Sequence, residues 1–402
     1  MNSYIKTSFI SLMVLSACHQ RPIPSEQPTP SAQGQQEEAV NVTQDGPVLD
    51  VLPEDAQEVE PPPPLFRGTL PIPTPVIPDG LSSISAQECN SCHFDTHDTW
   101  SGSDHQRGWN SENHTLFTAE EPLEPFCTGC HLPIASQHTD TSEQDNGSPT
   151  GDIETWDPTL QQEGVTCATC HVRDGTVYGV HATDNSPHPV TPTPELQSSE
   201  LCATCHQLSW PEADRPIYDT YGEWSRSWYA EAGITCQTCH MRPTAGVATA
   251  GELGYYADHS TSIDSSRAIT LQVSLDSPIA TRGQEFIGSL SITNTGSGHA
   301  FPTGSPFKAV VVSVTLLDAD QESTADTFTG TIARVVQEEA PWNTISDNTL
   351  SPSESNDWNF NFVPNYRSTA GLATLKIDVA FRHANGDMDQ PFTTQSIPVT
   401  LR

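Results

Sequence analysis

The chain predicts three unlike parts: a disordered N-terminal tether over 19–80, a mainly helical, loop-rich domain over 81–263, and an all-β, immunoglobulin-like sandwich over 264–402. Three observations carry this. Residues 19–80 are dominated by Pro, Gln and Glu, include Pro61-Pro62-Pro63-Pro64, and show neither helical nor strand periodicity. Ten of the eleven cysteines crowd into the next segment at one repeated spacing. From Arg267 onward cysteine disappears and apolar and polar residues alternate.

Charge limits the partners. Against 16 basic side chains stand 51 acidic ones, a formal charge of −35, and lysine is confined to Lys6, Lys308 and Lys376. Such a surface excludes nucleic acid, which needs a basic face for its phosphates. It leaves basic, neutral or small partners, a redox protein of opposite charge among them.

Residues 1–18 hold Lys6 and the mostly apolar stretch Phe9 to Ala17, too short to span a bilayer and suited to the core of a secretory signal. The stretch ends Leu15-Ser16-Ala17-Cys18, which resembles the bacterial lipoprotein signal. The resemblance implies lipidation at Cys18 and attachment to a membrane, in the periplasm or on the outer membrane or cell surface. An ordinary signal with a chance cysteine is the alternative. The 62 residues of tether that follow could reach roughly 190 Å in a polyproline-like form.

The ten remaining cysteines form five frames of one kind, Cys-x-x-Cys-His: Cys89-Cys92-His93, Cys127-Cys130-His131, Cys167-Cys170-His171, Cys202-Cys205-His206 and Cys236-Cys239-His240. This is the attachment frame of haem c, in which both thiols add to the porphyrin vinyl groups and the histidine is the proximal iron ligand. Zinc would need two knuckles per metal and leaves one frame unpaired. Disulfides do not explain a histidine after every pair. Five haems over 183 residues leave about 37 residues each, too few to bury a large core without the cofactors. The haems are therefore expected to be the core, packed closely enough to conduct electrons.

Counting selects the sixth iron ligand. Met1 and Met13 lie in the signal, Met241 directly follows a proximal histidine, and only Met388 is otherwise left. Of fifteen histidines, five proximal ones and His19 leave nine, so bis-histidine ligation is the expectation. His105, His138, His188, His259 and His299 are the five distal candidates, with His181 and His114 as reserves. The first four lie close to a frame, too close to wrap around that frame's porphyrin, so each is expected to serve a neighbouring haem. His97, four residues past His93, falls on the same side of a helix, and His383, beside Asn385-Gly386, reads as surface.

The frames ending at His171 and His240 lie in near-repeats, Glu163-Gly164-Val165-Thr166-Cys167 and Ala232-Gly233-Ile234-Thr235-Cys236, the second preceded by Glu223-Trp224-Ser225-Arg226-Ser227. Residues 85–260 thereby resemble the multihaem c-type cytochrome superfamily that contains the tetrahaem electron acceptor of hydroxylamine oxidoreductase and the pentahaem nitrite reductases. Gly298-His299-Ala300-Phe301-Pro302-Thr303-Gly304 is similar to a segment of such cytochromes bearing a C-terminal β domain. The resemblance implies parallel and perpendicular haem pairs on a mainly helical scaffold. The nitrite reductases carry lysine in their catalytic frame, whereas all five frames here have histidine, which counts against nitrite reduction. The six tryptophans before 264 (Trp100, Trp109, Trp156, Trp210, Trp224, Trp228) read as packing for a thin core.

Runs such as Ile269-Thr270-Leu271-Gln272-Val273 predict about seven strands in the last 139 residues. This domain is a clamp if His299 reaches a haem of its own chain, a docking or adhesion module if it does not, and a route to self-association if His299 reaches the next subunit. The leading functional expectation is a membrane-tethered pentahaem electron carrier. The alternative is a reductase of a small nitrogen or sulfur oxyanion at one five-coordinate haem, lined by Arg173, Tyr178 and His181. A third reading, a structural or adhesive surface protein, leaves the haems a stabilising role only.

Overall fold

In a Cys-x-x-Cys-His frame the three chemical groups stand at i, i+3 and i+4, which one helical turn brings to a single face. The computed structural model, which describes residues 70–110, 125–138, 156–183, 187–249 and 251–402, keeps the helices before residue 264 short, none of those described exceeding eight residues. The first frame starts at Cys89 on α1 (Ala86–Asn90) and ends at His93 just before the next helix, while the others sit on α3 (Pro125–His131), α5 (Cys167–His171), α6 (Ser199–His206) and α9 (Cys236–His240), each of which stops at the histidine. Ser85 and Ser198 cap α1 and α6 by accepting from the amides of Gln87 and Glu200. Between them come α2 (Phe94–Ser101), α4 (Pro158–Gln162), α7 (Thr220–Ser225) and α8 (Trp228–Glu231). Among the described residues no helix is long and apolar enough to cross a membrane.

The expectation of a mainly helical, loop-rich haem segment beside a sandwich is corrected: the structure as a whole is 21% helix and 33% strand, in several sheets, two of them before residue 264. Segments that link the frames run extended. β1 (Val172–Arg173) turns through Asp174 and Gly175, both at positive φ, into β2 (Thr176–Gly179), and β3 (Val190–Pro192) joins β2 in parallel. β4 (Pro243–Thr249) and β5 (Glu252–Ala257) form an antiparallel hairpin. The reason is economy of chain: one turn of helix serves each frame, and an extended strand then covers the distance to the next ligand at about twice the rise per residue of a helix. Residues 70–80, assigned to the tether by composition, belong to the folded part: Ile72 exchanges backbone hydrogen bonds with Pro133 and Ala135.

The apolar core lies in the C-terminal part. One antiparallel sheet orders β13 (Ser355–Phe362), β8 (Phe286–Asn294) and β6 (Ile269–Leu275). The other orders β10 (Phe328–Ile332), β9 (Ala309–Leu317), β14 (Gly371–Arg382), β15 (Thr393–Leu401) and β7 (Ile279–Ala280), with only β7 parallel to its neighbour. Alternate residues of both sheets, among them Leu290, Ile292, Val312, Val314, Leu375, Ile377 and Val379, are buried in one cluster. Before residue 264 the corresponding cluster is Ile84, Ile134, Leu160, Ala168 and Val172.

A small hairpin of β11 (Arg334–Val336) and β12 (Thr344–Asp347) fixes the sandwich to the frame-bearing segment. Arg334 donates Nη1 to the Pro216 carbonyl at 2.6 Å, and Arg215 pairs with Asp347 at 2.6 Å. Trp210 meets Trp342 edge to face with ring centroids 4.6 Å apart.

Candidate haem-binding site

Four histidine pairs face one another across the interior. His93 and His188 have ring centroids 6.4 Å apart, His206 and His105 6.3 Å, His171 and His259 6.2 Å, and His240 and His299 6.3 Å. With a metal–imidazole bond of about 2 Å, two imidazoles on opposite faces of one iron have centroids roughly 6 Å apart. Each pair takes one histidine from a frame and one from the distal candidates. In every pair the partner is remote in sequence, as expected if ligands cross between neighbouring haems.

Ring orientation supplies a second test. A carbonyl bound to Nδ1 forces that nitrogen to carry the proton, which leaves the Nε2 lone pair for a metal. Nδ1 donates to the Ala248 carbonyl in His93 (3.0 Å), to Gly108 in His131 (2.6 Å), to Tyr178 in His171 (2.9 Å) and to Thr261 in His240 (2.8 Å). Among the distal candidates, His259 donates Nδ1 to Ala257 (2.7 Å) and His299 to Ala300 (2.9 Å). The extended segments are what bring these carbonyls in: Ala248 lies on β4, Tyr178 on β2, and Ala257 ends β5. Burial pushes His171, His206 and His299 down to about 4 and also lowers His105 and His259, so these rings stay neutral, the form that binds metal.

His138 is set differently from the other four distal candidates. Its Nε2 donates to the Leu132 carbonyl at 2.7 Å, which uses the nitrogen a haem would need, and among the described residues its ring faces no proximal histidine. The α3 turn places Leu132 within its reach. His114, a reserve, and Cys18 lie outside the described residues, as does the Cys127 side chain. His181 is exposed, the His97 Nε2 lies 3.2 Å from the Gln87 side-chain nitrogen, and His383 pairs with Asp389 at 2.8 Å.

The thiols, standing for the thioether sulfurs of attached haem, join the frames into a series. Cys89 lies near enough to Cys167, and Cys236 to Cys202, for each neighbour to lower the thiol's pKa, and Cys205 does the same to Cys130. Cys170 lies near enough to Cys202 and Cys205 to raise both electrostatically, behind the larger effects of their neighbouring thiols and burial. The first, third, fourth and fifth frames thus follow one another, with the second joined at the fourth. The residues fit covalently attached haem, which when bound would supply one-electron chemistry.

Other expectations changed. Trp100 and Trp224 donate Nε1 to the carbonyls of Val165 and Ile234, both at 2.9 Å. They hold the backbone just before the third and fifth frames. The shared Trp-Ser-x-Ser around them was the available signal. The Arg173 guanidinium is bound to the Ala168, Thr169 and Val172 carbonyls, so it serves its own backbone. Sequence reasoning missed two carboxylates. Glu163 accepts from Ser85, Ala86 and Thr166, tying the first frame to the third. Glu223, pushed up by burial, accepts from Ala300 and Thr303.

Residues 88–172 match the family described as cytochrome c554 and c-prime. A pentahaem cytochrome c552 from Thermochromatium tepidum is similar in structure at 17% identity and a TM-score of 0.57, covering 80% of this chain and 100% of that one. The CARDB domain of a Pyrococcus furiosus protein aligns at 12% identity over 33% of this chain and 87% of that domain, and its TM-score of 0.20 lends nothing to the reading. No curated protein matches the chain. The family match across the first three frames and the fold shared with a pentahaem protein agree with the chemistry of the frames themselves, which is that of covalent haem c attachment.

Proposed function

We propose that the chain carries five haems c, that these are bis-histidine ligated, and that it relays single electrons between partner proteins outside the cytoplasm. The observation that carries the reading is the set of four histidine pairs at 6.2 to 6.4 Å. His188, His105, His259 and His299 would then be the distal ligands for the haems of His93, His206, His171 and His240. Two axial imidazoles leave no open iron position, which suits outer-sphere exchange over substrate turnover. The thiol contacts support short steps from frame to frame. Export, lipid attachment at Cys18 and a disordered tether rest on the sequence, and the charge of −35 favours basic redox partners.

Electron paramagnetic resonance and carbon monoxide difference spectra of the fully haem-loaded protein test this. Low-spin iron throughout with no carbon monoxide adduct is expected. A high-spin iron that binds carbon monoxide would replace the relay with the oxyanion reductase.

A further inference from the structure

His299 is the only member of the four histidine pairs that comes from the β-sandwich, on the loop that follows β8. Within that loop, Asn294 donates to the His299 carbonyl at 2.9 Å, and Ser297 Oγ lies 3.0 Å from His299 Nδ1. These bonds shape the loop but do not fix where it lies on the frame-bearing segment. Glu223 of α7 does. Its Oε2 accepts from the Ala300 amide at 3.2 Å and the Thr303 hydroxyl at 2.6 Å, on the residues one and four past His299. Thr220, one turn earlier on the same helix, meets the Thr303 hydroxyl at 2.9 Å. The loop also packs against Tyr229: a Cβ at Gly298 would come within 3.1 Å of that side chain, so a side chain there would push the loop away.

We infer that Glu223 is the positioning residue that holds His299 at the iron of His240, making ligation of that haem depend on the seating of the β-sandwich. The inference rests on the reading that His240 and His299 share one iron. The carboxylate is partly withdrawn from water, and both of its bonds to the loop are accepted bonds, which an amide oxygen can also accept. Loss of the acceptor leaves the Ala300 amide unpaired and the Thr303 hydroxyl with Thr220 alone, and frees the loop to move off the iron.

The test uses the full-length, haem-loaded protein and four variants: His299→Ala, Glu223→Ala, Glu223→Gln and Thr303→Val. His299→Ala should convert one low-spin iron per chain to a high-spin iron that binds carbon monoxide. Glu223→Ala should open the same iron, Glu223→Gln should restore the low-spin spectrum, and Thr303→Val should open it in part. Thr303→Val keeps the test decisive where Glu223→Ala yields no folded protein. If His299→Ala leaves every iron low-spin, the shared-iron reading fails and the inference with it. If His299→Ala opens an iron while Glu223→Ala and Thr303→Val lower only the melting temperature, the reading stands and the role given to Glu223 is overturned.

Discussion

His299, on a loop of the sandwich, and His240, at the end of the fifth frame, face one another with ring centroids 6.3 Å apart and planes inclined by 23°. Two parts of the chain with opposite structural economies meet at this pair. One buries a large apolar cluster of its own, and the other, among the described residues, buries only a small one.

That contrast predicts the outcome of haem removal. Among the described residues the buried apolar cluster before residue 264 has five members, while the sandwich cluster runs from Ile269 to Leu401 through both sheets. Expressed without haem attachment, the chain should keep a β-type circular dichroism spectrum and lose the helical contribution of the frames. A full helical signal in the apoprotein would count against haem as the core.

His105→Ala should open the haem of His206, seen as one high-spin iron with carbon monoxide affinity, because the paired ring at 6.3 Å is lost. His138→Ala should leave the spectrum unchanged, since its Nε2 is held by the Leu132 carbonyl. The same electron paramagnetic resonance measurement separates the two, and an altered spectrum in His138→Ala would return that residue to the ligand set.

Trp100→Phe and Trp224→Phe each remove one indole donor from the carbonyls of Val165 and Ile234. Each should cost about 1 to 2 kcal/mol by losing a hydrogen bond and stranding its acceptor. Urea unfolding midpoints of the haem-loaded variants check this, and the two losses should add within about 0.5 kcal/mol if the sites are independent.

In the sandwich, the Thr369 amide above all, with those of Glu322 and Asp320, holds the Asp318 carboxyl below its usual value of 3.8. A carboxylate whose folded value is depressed stabilises the fold above its unfolded value, and that contribution is lost as pH falls through the folded value. Asp318→Asn should therefore be less stable than the parent at neutral pH, with the gap closing below about pH 3.8. Melting curves of both proteins across acidic pH give the comparison; a gap independent of pH would place the effect in packing alone.

The sequence by itself determined the cofactor chemistry and the order of parts. Cys-x-x-Cys-His is a local code: three groups on one helical turn, readable without knowing what surrounds them. Alternation such as Ile269-Thr270-Leu271-Gln272 is equally local, because it reports one buried face of one strand. Which histidine stands opposite which frame was decided only by the tertiary structure. His105, His188, His259 and His299 look alike in sequence, and so does His138, until a carbonyl is seen to hold Nδ1 in His259 and His299 and Nε2 in His138. The balance of helix and strand before residue 264 was hidden for a related reason. Extended links such as Val172–Arg173 and Pro243–Thr249 are set by the distance between one haem ligand and the next, and that distance exists only once the frames have been brought together.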